Sequence, residues 1–223
     1  MQIFGKITDY GKVFNFKIVS KSENKSPDSN IFTFSDKKIF IYIDGAISKL
    51  SNEIIQLSKG YDTIYQKISY LHHIGFNFES HICGSFNIFL FDYTSKEFTL
   101  IRDSRGTKSI FYADNGKDFI FSSDQNLIIN SIKNVTLNQR KLMEFLNMDY
   151  VSNEQTYFKE IFRIPPSHYL NFKNNIVTVK KYNLSNALFE NEQNHDSVEG
   201  FKKYLLNSGA SIVEKDKKIA VMM

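Results

Sequence analysis

The sequence contains one cysteine and five histidines, the residue types that most often act as nucleophiles and metal ligands. His72 and His73 are adjacent in a stretch with helical spacing, so their side chains point apart. No carboxylate is spaced to complete a ligand set with them and His81. Surface or hydrogen-bonded roles are therefore preferred for these histidines, and no metal site is predicted.

Cys83 is the only thiol in the chain, and it directly precedes a strongly apolar segment. An apolar environment favours the unreactive thiol over the thiolate, so we interpret Cys83 as a small buried residue rather than a nucleophile. A single cysteine excludes an internal disulfide and suits a reducing compartment.

Arg102 and Asp103 are a second pair that could do chemistry, because a guanidinium beside a carboxylate can bind or polarise a substrate. They end an apolar run and precede Gly106 and Lys108, which indicates the end of a strand before a turn. A structural ion pair or a domain-interface contact is preferred over a catalytic role.

Length and charge exclude several classes of protein. The 223 residues fit one domain, or one domain with a fragment of another. The net charge of +4 comes from scattered lysines, so no nucleic-acid partner is predicted. No apolar run approaches the ~20 residues of a membrane span, and no secretion signal opens the chain. A cytoplasmic location without membrane attachment is expected.

Residues 84–123 form the centre of the predicted fold. Four apolar runs, at 86–93, 98–102, 109–112 and 119–122, are separated by turn-forming residues. The first run is almost entirely apolar, which predicts a strand buried on both faces. Asp114-Asn115-Gly116-Lys117 favours a hairpin with a type I′ turn.

The flanking sequence adds further strands and helices. Strands are predicted at 1–8, 12–20, 31–34, 38–43, 168–172 and 176–180, with the fourth ending at Asp44-Gly45. Helices are predicted at 51–58, 61–74, 124–129 and 137–146. Gly75 suits the C-terminal cap of the second helix, and Asp124 suits the N-cap of the third. A polar linker follows, then a helix from 196 or 197 to about 213 with Val198, Phe201, Leu205 and Ile212 facing inward, and a last strand at 219–223. The fold class is α+β, with helices covering a two-sheet core.

Ordered motifs across half of the chain resemble the N-terminal glutamine amidotransferase domain, type 2, of the asparagine synthetase family. The first set is Gly84, Phe86, Phe91-Asp92, Arg102-Asp103, Gly106, Lys108, Phe111-Tyr112, Phe121 and Ser123-Asp124. The second set is Leu142, Phe145-Leu146, Thr156, Phe158, Ile161, Ile164-Pro165-Pro166 and His168. The resemblance implies the N-terminal-nucleophile (Ntn) hydrolase fold, a four-layer αββα sandwich.

The resemblance also implies chemistry that this sequence lacks. In the family, a cysteine after the initiator Met is the nucleophile and its own α-amine is the base. Gln2 occupies that position here, and a glutamine side chain has no nucleophilic atom. No catalytic residue is therefore predicted.

The glutamine pocket departs from the family pattern as well. No arginine precedes Arg102, although the family binds the glutamine carboxylate with one. The family's oxyanion-hole Asn-Gly pair corresponds to Asp44-Gly45, where Gly45 can still offer a backbone N–H but Asp44 supplies an acceptor. Asp62 matches the residue that holds the glutamine ammonium. These three residues are interpreted as a degenerate pocket.

Two domains are expected: residues 1–182 as the amidotransferase-like domain, and residues 183–223 as linker, helix and first strand of a truncated ATP-pyrophosphatase domain. The first hypothesis is a glutaminase-dead domain of an ATP-dependent amide-forming enzyme, of asparagine synthase, β-lactam synthetase or lasso-peptide cyclase type. Its partner would be the synthetase domain, in cis or trans, with ATP and Mg²⁺ bound only there; a homodimer is left open. The alternative is a stand-alone, non-catalytic binding module. A working glutaminase would need a nucleophile that the sequence does not supply.

Overall fold

The computed structural model describes residues 2–8, 13–19, 31–34, 37–188 and 198–212. The strands are β1 (Gln2–Thr8), β2 (Val13–Val19), β3 (Ile31–Phe34), β4 (Lys37–Leu50), β5 (Ile82–Asp92), β6 (Glu97–Arg102), β7 (Phe111–Asp114), β8 (Phe119–Ser122), β9 (Phe162–Arg163), β10 (His168–Lys173) and β11 (Ile176–Lys181). The helices are α1 (Asn52–Leu57), α2 (Ile64–His73), α3 (Gln125–Ile129), α4 (Gln139–Met148) and α5 (Val198–Ile212), with short 3₁₀ helices at Phe78–His81 and Asn186–Leu188.

Two antiparallel sheets form the centre of the molecule. The five-stranded sheet has the order β2-β1-β8-β7-β9, and the six-stranded sheet has the order β11-β10-β6-β5-β4-β3. Strand β5 lies inside the six-stranded sheet, between β4 and β6. Strand β1 lies inside the five-stranded sheet, between β2 and β8.

Strand β5 is buried on both faces, as its apolar run predicts. Phe89 and Phe91 belong to the core between the two sheets, where Phe98 and Phe121 stack with ring centroids 4.4 Å apart. Leu90 belongs to the apolar cluster on the outer face of the same sheet. Each fully buried side chain of this size contributes roughly 1.5–3 kcal/mol, so β5 links two layers of core.

Helices cover the outer face of each sheet. Ile54 of α1 and Ile68 of α2 pack in the outer cluster of the six-stranded sheet. Ile128 of α3 packs with Ile120 on the outer face of the five-stranded sheet. The order of layers is therefore helix, sheet, sheet, helix, and the predicted four-layer αββα sandwich is confirmed.

Helix ends follow the predicted polar residues. Asp124 caps α3 by accepting a hydrogen bond from the Asn126 N–H. Gly75 directly follows Ile74, the C-cap residue of α2. Its φ of +75° suits the left-handed position after a helix C-terminus. Thr63 and Gln66 form a capping box at the start of α2.

The predicted end of β4 at Asp44-Gly45 is wrong. The strand continues to Leu50, and its pairing with β5 extends to Ile82, with an irregularity between Ile47 and Lys49. Gly45 has φ +120°, and a Cβ atom there would lie 2.0 Å from the Ser85 carbonyl oxygen. Glycine marks a close approach of two strands here, and not a turn.

Two other details differ from prediction. The strand predicted at 109–112 lies at Phe111–Asp114. The hairpin that joins it to β8 is present, but only Gly116 of the Asn115-Gly116 pair has positive φ, at +80°. A type I′ turn needs positive φ at both central residues, so the predicted turn type is wrong.

The helix predicted near 196–213 is confirmed as α5, Val198–Ile212. Its predicted inward face is wrong, because Val198, Phe201 and Leu205 are all exposed. The predicted strand at 219–223 lies outside the described residues. No helix in the described part of the chain has the length and apolar character that a membrane crossing requires.

Candidate functional site

The first residue of β1 is held beside the start of α3. The Ile3 N–H donates to the Ser123 hydroxyl at 2.9 Å, and the Ser123 N–H donates to the Ile3 carbonyl at 3.1 Å. These contacts place Gln2 next to Asp124, and the Gln2 amide donates to the Asp124 carboxylate. The position at which the family resemblance expects a nucleophile thus carries an amide that is bound to a carboxylate.

Asp44 approaches the same region from the other sheet. Alternation along β4 places Tyr42 in the core between the sheets, and Asp44, two residues later, points to the same side. The Asp44 side chain is buried and pairs with Lys108, whose Nζ lies 2.6 Å from the carboxylate oxygen. Burial, the negative charge of Asp44 and that of Tyr65 raise the pKa of Tyr42 to about 12.

A tightly bonded turn presents Lys108 to Asp44. The buried Arg102 guanidinium donates to the carbonyl oxygens of Gly106, Lys108 and Ile164. The Asp103 carboxylate accepts hydrogen bonds from the Arg105 N–H at 2.9 Å and from the Thr107 N–H and hydroxyl. The two side chains bind the turn rather than each other. Arg102 and Asp103 therefore stabilise the turn, but they do not form the expected ion pair with each other.

Gly106 completes this turn. Its φ is +64°, and a Cβ atom would lie 2.7 Å from Pro166 Cγ and 3.0 Å from the Arg102 guanidinium carbon. Arg102 packs on the face of the turn that only glycine leaves open. Residues 102–108 are thus a support for Lys108, which accounts for the spacing of the Arg-Asp-x-x-Gly-x-Lys motif.

These groups surround a cavity of about 720 Å³. Its polar wall contains Gln2, Asp44, Lys108 and Asp124, and its apolar wall contains Phe111, Ile129 and Phe158. The volume lies within the range of small-molecule sites, roughly 300–1,000 Å³. We call this the Gln2 cavity.

The structure does not bring the whole predicted glutamine pocket together. Asp44 lines the Gln2 cavity, whereas Gly45 and Asp62 line a separate cavity of about 520 Å³ beside Tyr65. The Asp44 side chain lies on the face of β4 that meets the Gln2 cavity, and Gly45, which has no side chain, contributes only backbone to the other cavity.

A family model, described as a glutamine amidotransferase domain, matches residues 62–183, just over half of the chain. The chain belongs to the glutamine amidotransferase domain family. The matched region includes β5 to β11 and the Arg102–Lys108 turn. It begins after Gln2 and Asp44, so the roles of those two residues belong to the proposal below.

Solved structures of other proteins are similar to this amidotransferase-family chain. One is glutamine phosphoribosylpyrophosphate amidotransferase from B. subtilis with ADP and GMP, at 10% identity and a TM-score of 0.40. Another is described as the allosteric regulatory enzyme of purine biosynthesis, at 10% identity and a TM-score of 0.39. Each similarity covers 82% of this chain and 43% of the other, so the chain spans less than half of their length. No curated protein matches the chain in sequence.

Among the described residues, the cysteine and the four histidines lie outside the Gln2 cavity. Cys83 is partly buried and pairs with Lys49 in the six-stranded sheet. His72 Nε2 lies 3.9 Å from Asp92, and His81 Nδ1 lies 3.5 Å from Glu53. Within the described residues, no group of three His, Cys, Asp or Glu side chains is arranged to hold a metal ion.

Two features of the amidotransferase site were missed by sequence reasoning. Asp124 was predicted only as a helix cap, but it also binds Gln2. Lys108 was assigned to a structural motif, without Asp44 as its partner. Both contacts join residues that are more than 60 positions apart, and no local pattern signals them.

Proposed function

We propose that this chain is a glutaminase-dead amidotransferase-like domain of an asparagine-synthetase-like, ATP-dependent amide-forming enzyme. The enzyme would be of asparagine synthase, β-lactam synthetase or lasso-peptide cyclase type, in which the amine can come from the substrate itself. The observation that carries the proposal is Gln2, a residue without a nucleophilic atom, at the point of the Gln2 cavity where an Ntn amidotransferase needs a thiol.

Asp44 supports the same conclusion through charge. Attack on an amide carbonyl generates an oxyanion, which N–H donors must stabilise. At the position expected to donate, Asp44 supplies a carboxylate, and the nearby Lys108 ammonium is already bound to it. Gln2 likewise directs its amide donor to Asp124. Asp44 and Lys108, and Gln2 and Asp124, are thus bound to each other rather than available to a reacting glutamine.

The synthetase chemistry belongs, on this proposal, to an ATP-pyrophosphatase domain in cis or trans. That domain would bind ATP and Mg²⁺ and activate a carboxylate, while residues 1–182 would serve as its scaffold. The cytoplasmic location is part of the same proposal, and a homodimeric assembly is left open. A coding sequence that continues past residue 223 with Ser-Gly-Gly-x-Asp-Ser would support a synthetase domain in cis; a stop or an unrelated sequence there would contradict the cis arrangement and leave only the arrangement in trans.

Glutamate release from glutamine tests the loss of activity directly. We expect the wild-type protein to be at the level of a blank. Gln2→Cys should remain inactive despite its new thiol, because a missing oxyanion donor alone costs ~2.7–4 kcal/mol in the transition state. Gln2→Ala is the matched control for any effect of removing the amide. Turnover by the wild type that a thiol-alkylating reagent abolishes would overturn the proposal and implicate Cys83.

A second candidate is a stand-alone binding module without catalysis. The open volume of the Gln2 cavity, with one polar and one apolar wall, favours it. The two candidates differ in the need for a synthetase domain. Amide formation that depends on this chain in the presence of that domain and ATP favours the first, and ligand binding by this chain without any such dependence favours the second.

A further inference from the structure

A second concave site lies on the outer face of the six-stranded sheet. Helix α2 packs over β4, and residues of β6, β10 and β11 line a concave surface beside the 3₁₀ helix Phe78–His81. A cavity of about 370 Å³ lies there, with Phe76 and Tyr169 as aromatic walls and Glu79 and Glu97 as carboxylates. We call it the Glu79 cavity.

The two carboxylates of this cavity differ in their hydrogen-bond and ion-pair partners. Glu97 accepts hydrogen bonds from Lys173 Nζ at 2.8 Å and from the Asn171 amide, so its charge is compensated. Glu79 is partly buried, and no salt bridge to it occurs among the described residues. Lys180 lines the same cavity but is exposed and does not pair with Glu79.

Glu79 also acts on the aromatic residues around it. Burial raises the pKa of Glu79, although a hydrogen bond from its own backbone N–H acts in the opposite direction. Burial and the charge of Glu79 together raise the pKa of Tyr169. Both side chains line the same cavity, so one ligand can contact both.

We propose that the Glu79 cavity binds a small organic cation, an alkylammonium group that pairs with Glu79 while its alkyl part packs against Tyr169 and Phe76. A poorly hydrated carboxylate gains most from an opposite charge brought within about 4–6 Å. Aromatic faces attract cations, with about 0.5–2 kcal/mol per contact. The cavity is large enough for a ligand of this class. This site does not depend on the proposed function of the Gln2 cavity.

The ammonium group has two natural sources, a free amine or the side chain of a lysine on a peptide. The titration therefore uses n-butylammonium, the neutral isostere 1-butanol, and Nα-acetyl-lysine methylamide, with ¹⁵N-labelled full-length protein. We expect n-butylammonium to shift the amide signals of residues 75–80 and 169–171, and 1-butanol to leave them unchanged. Binding of the lysine derivative with equal strength would identify a peptide lysine as an occupant; its exclusion would identify a free amine.

Two variants test whether n-butylammonium binding depends on the charge of Glu79 or is affected by any substitution. Glu79→Gln keeps the shape of the side chain and should weaken n-butylammonium binding at least tenfold. Glu154→Gln, an exposed change outside the cavity, should leave binding unchanged. Equal shifts with 1-butanol, no saturable shifts in the wild type, or full binding by Glu79→Gln would each overturn the proposal. The comparison of the two ligands on the wild type decides the question even if Glu79→Gln does not fold.

Discussion

Gly106 combines a left-handed backbone with close packing under Arg102, and Gly116 shares only the first of these constraints. A Cβ atom at Gly106 meets Pro166 and Arg102, whereas a Cβ atom at Gly116 meets nothing within 4 Å. We therefore expect Gly106→Ala to lower the free energy of unfolding by about 2–4 kcal/mol and Gly116→Ala by about 1 kcal/mol. Urea unfolding of both variants measures the difference; equal losses would mean that Arg102 does not need the open face of the turn.

The two residues of the Asp44–Lys108 pair differ in exposure, so replacing one or the other should lower the free energy of unfolding by different amounts. The Asp44 side chain is 8% exposed and that of Lys108 is 40% exposed. Lys108→Met leaves a buried carboxylate unpaired, but solvent reaches the pair, so we expect a loss of about 1–2 kcal/mol. Asp44→Asn leaves only an ammonium that water can hydrate, and should cost less than about 1 kcal/mol. Chemical denaturation of both single variants and the double variant checks this order; a larger loss for Asp44→Asn would contradict it.

Helix α4 is tied to the segment after it by one carboxylate. Glu144 accepts hydrogen bonds from Lys141 Nζ and from the Ser152 N–H, both at 2.7 Å. The hydrogen bond from Lys141, then those from Ser152, lower the pKa of Glu144 to about 2. Because the folded pKa is below the ordinary value of 4.5, this stabilisation is present above pH 4.5 and is lost as the pH falls towards 2.

Glu144→Gln should accordingly weaken the dependence of unfolding free energy on pH between about 4.5 and 2. Lys141→Met should weaken it in the same window, since Lys141 supplies the largest contribution. Unfolding free energies measured at several pH values for the three proteins test this. If both variants keep the wild-type slope, the Lys141–Glu144–Ser152 contacts do not hold in solution.

Elements with strong local signals could be predicted from sequence, and elements set by long-range pairing could not. The apolar run of β5 and the cap at Asp124 are local patterns, and both are confirmed. The prediction ended strand β4 too early because Asp44-Gly45 has the composition of a turn. In the structure, pairing with Ser85 and Phe86 keeps this part of β4 extended. The two-residue strand β9 depends on its pairing with β7 and on the bridge between Phe162 and Gln155, and it was not predicted from the sequence.

At the scale of the whole molecule, the candidate site depends on the packing of two sheets. Gln2 is supplied by the five-stranded sheet and Asp44 by the six-stranded sheet. The family resemblance predicted both positions, but not that Asp62 would line a different cavity. Which side chains meet depends on the order of strands that are far apart in the sequence, and no local pattern encodes that order.

The C-terminal limit of the folded unit gives the last prediction. The Tyr182 hydroxyl donates to the Arg102 carbonyl at 2.6 Å, and packing continues beyond it. Leu184 packs on the outer cluster of the six-stranded sheet, and Leu188 is 1% exposed. Packing therefore continues six residues past the boundary expected after Tyr182.

A chain that ends at Leu188 should unfold at nearly the same temperature as the full chain. A chain that ends at Tyr182 should lose roughly 2–4 kcal/mol, because burial of a leucine contributes about 1.5–3 kcal/mol and Leu184 is only partly buried. That loss corresponds to a melting midpoint lower by roughly 5–15 °C for a protein of this size. Leu188→Ala in the full chain is the control for the buried side chain.

The shorter chains should also scatter less light, because both lack the exposed apolar residues of α5. An unchanged midpoint for the chain ending at Tyr182 would place the boundary there, and a large drop for the chain ending at Leu188 would assign later residues to the core.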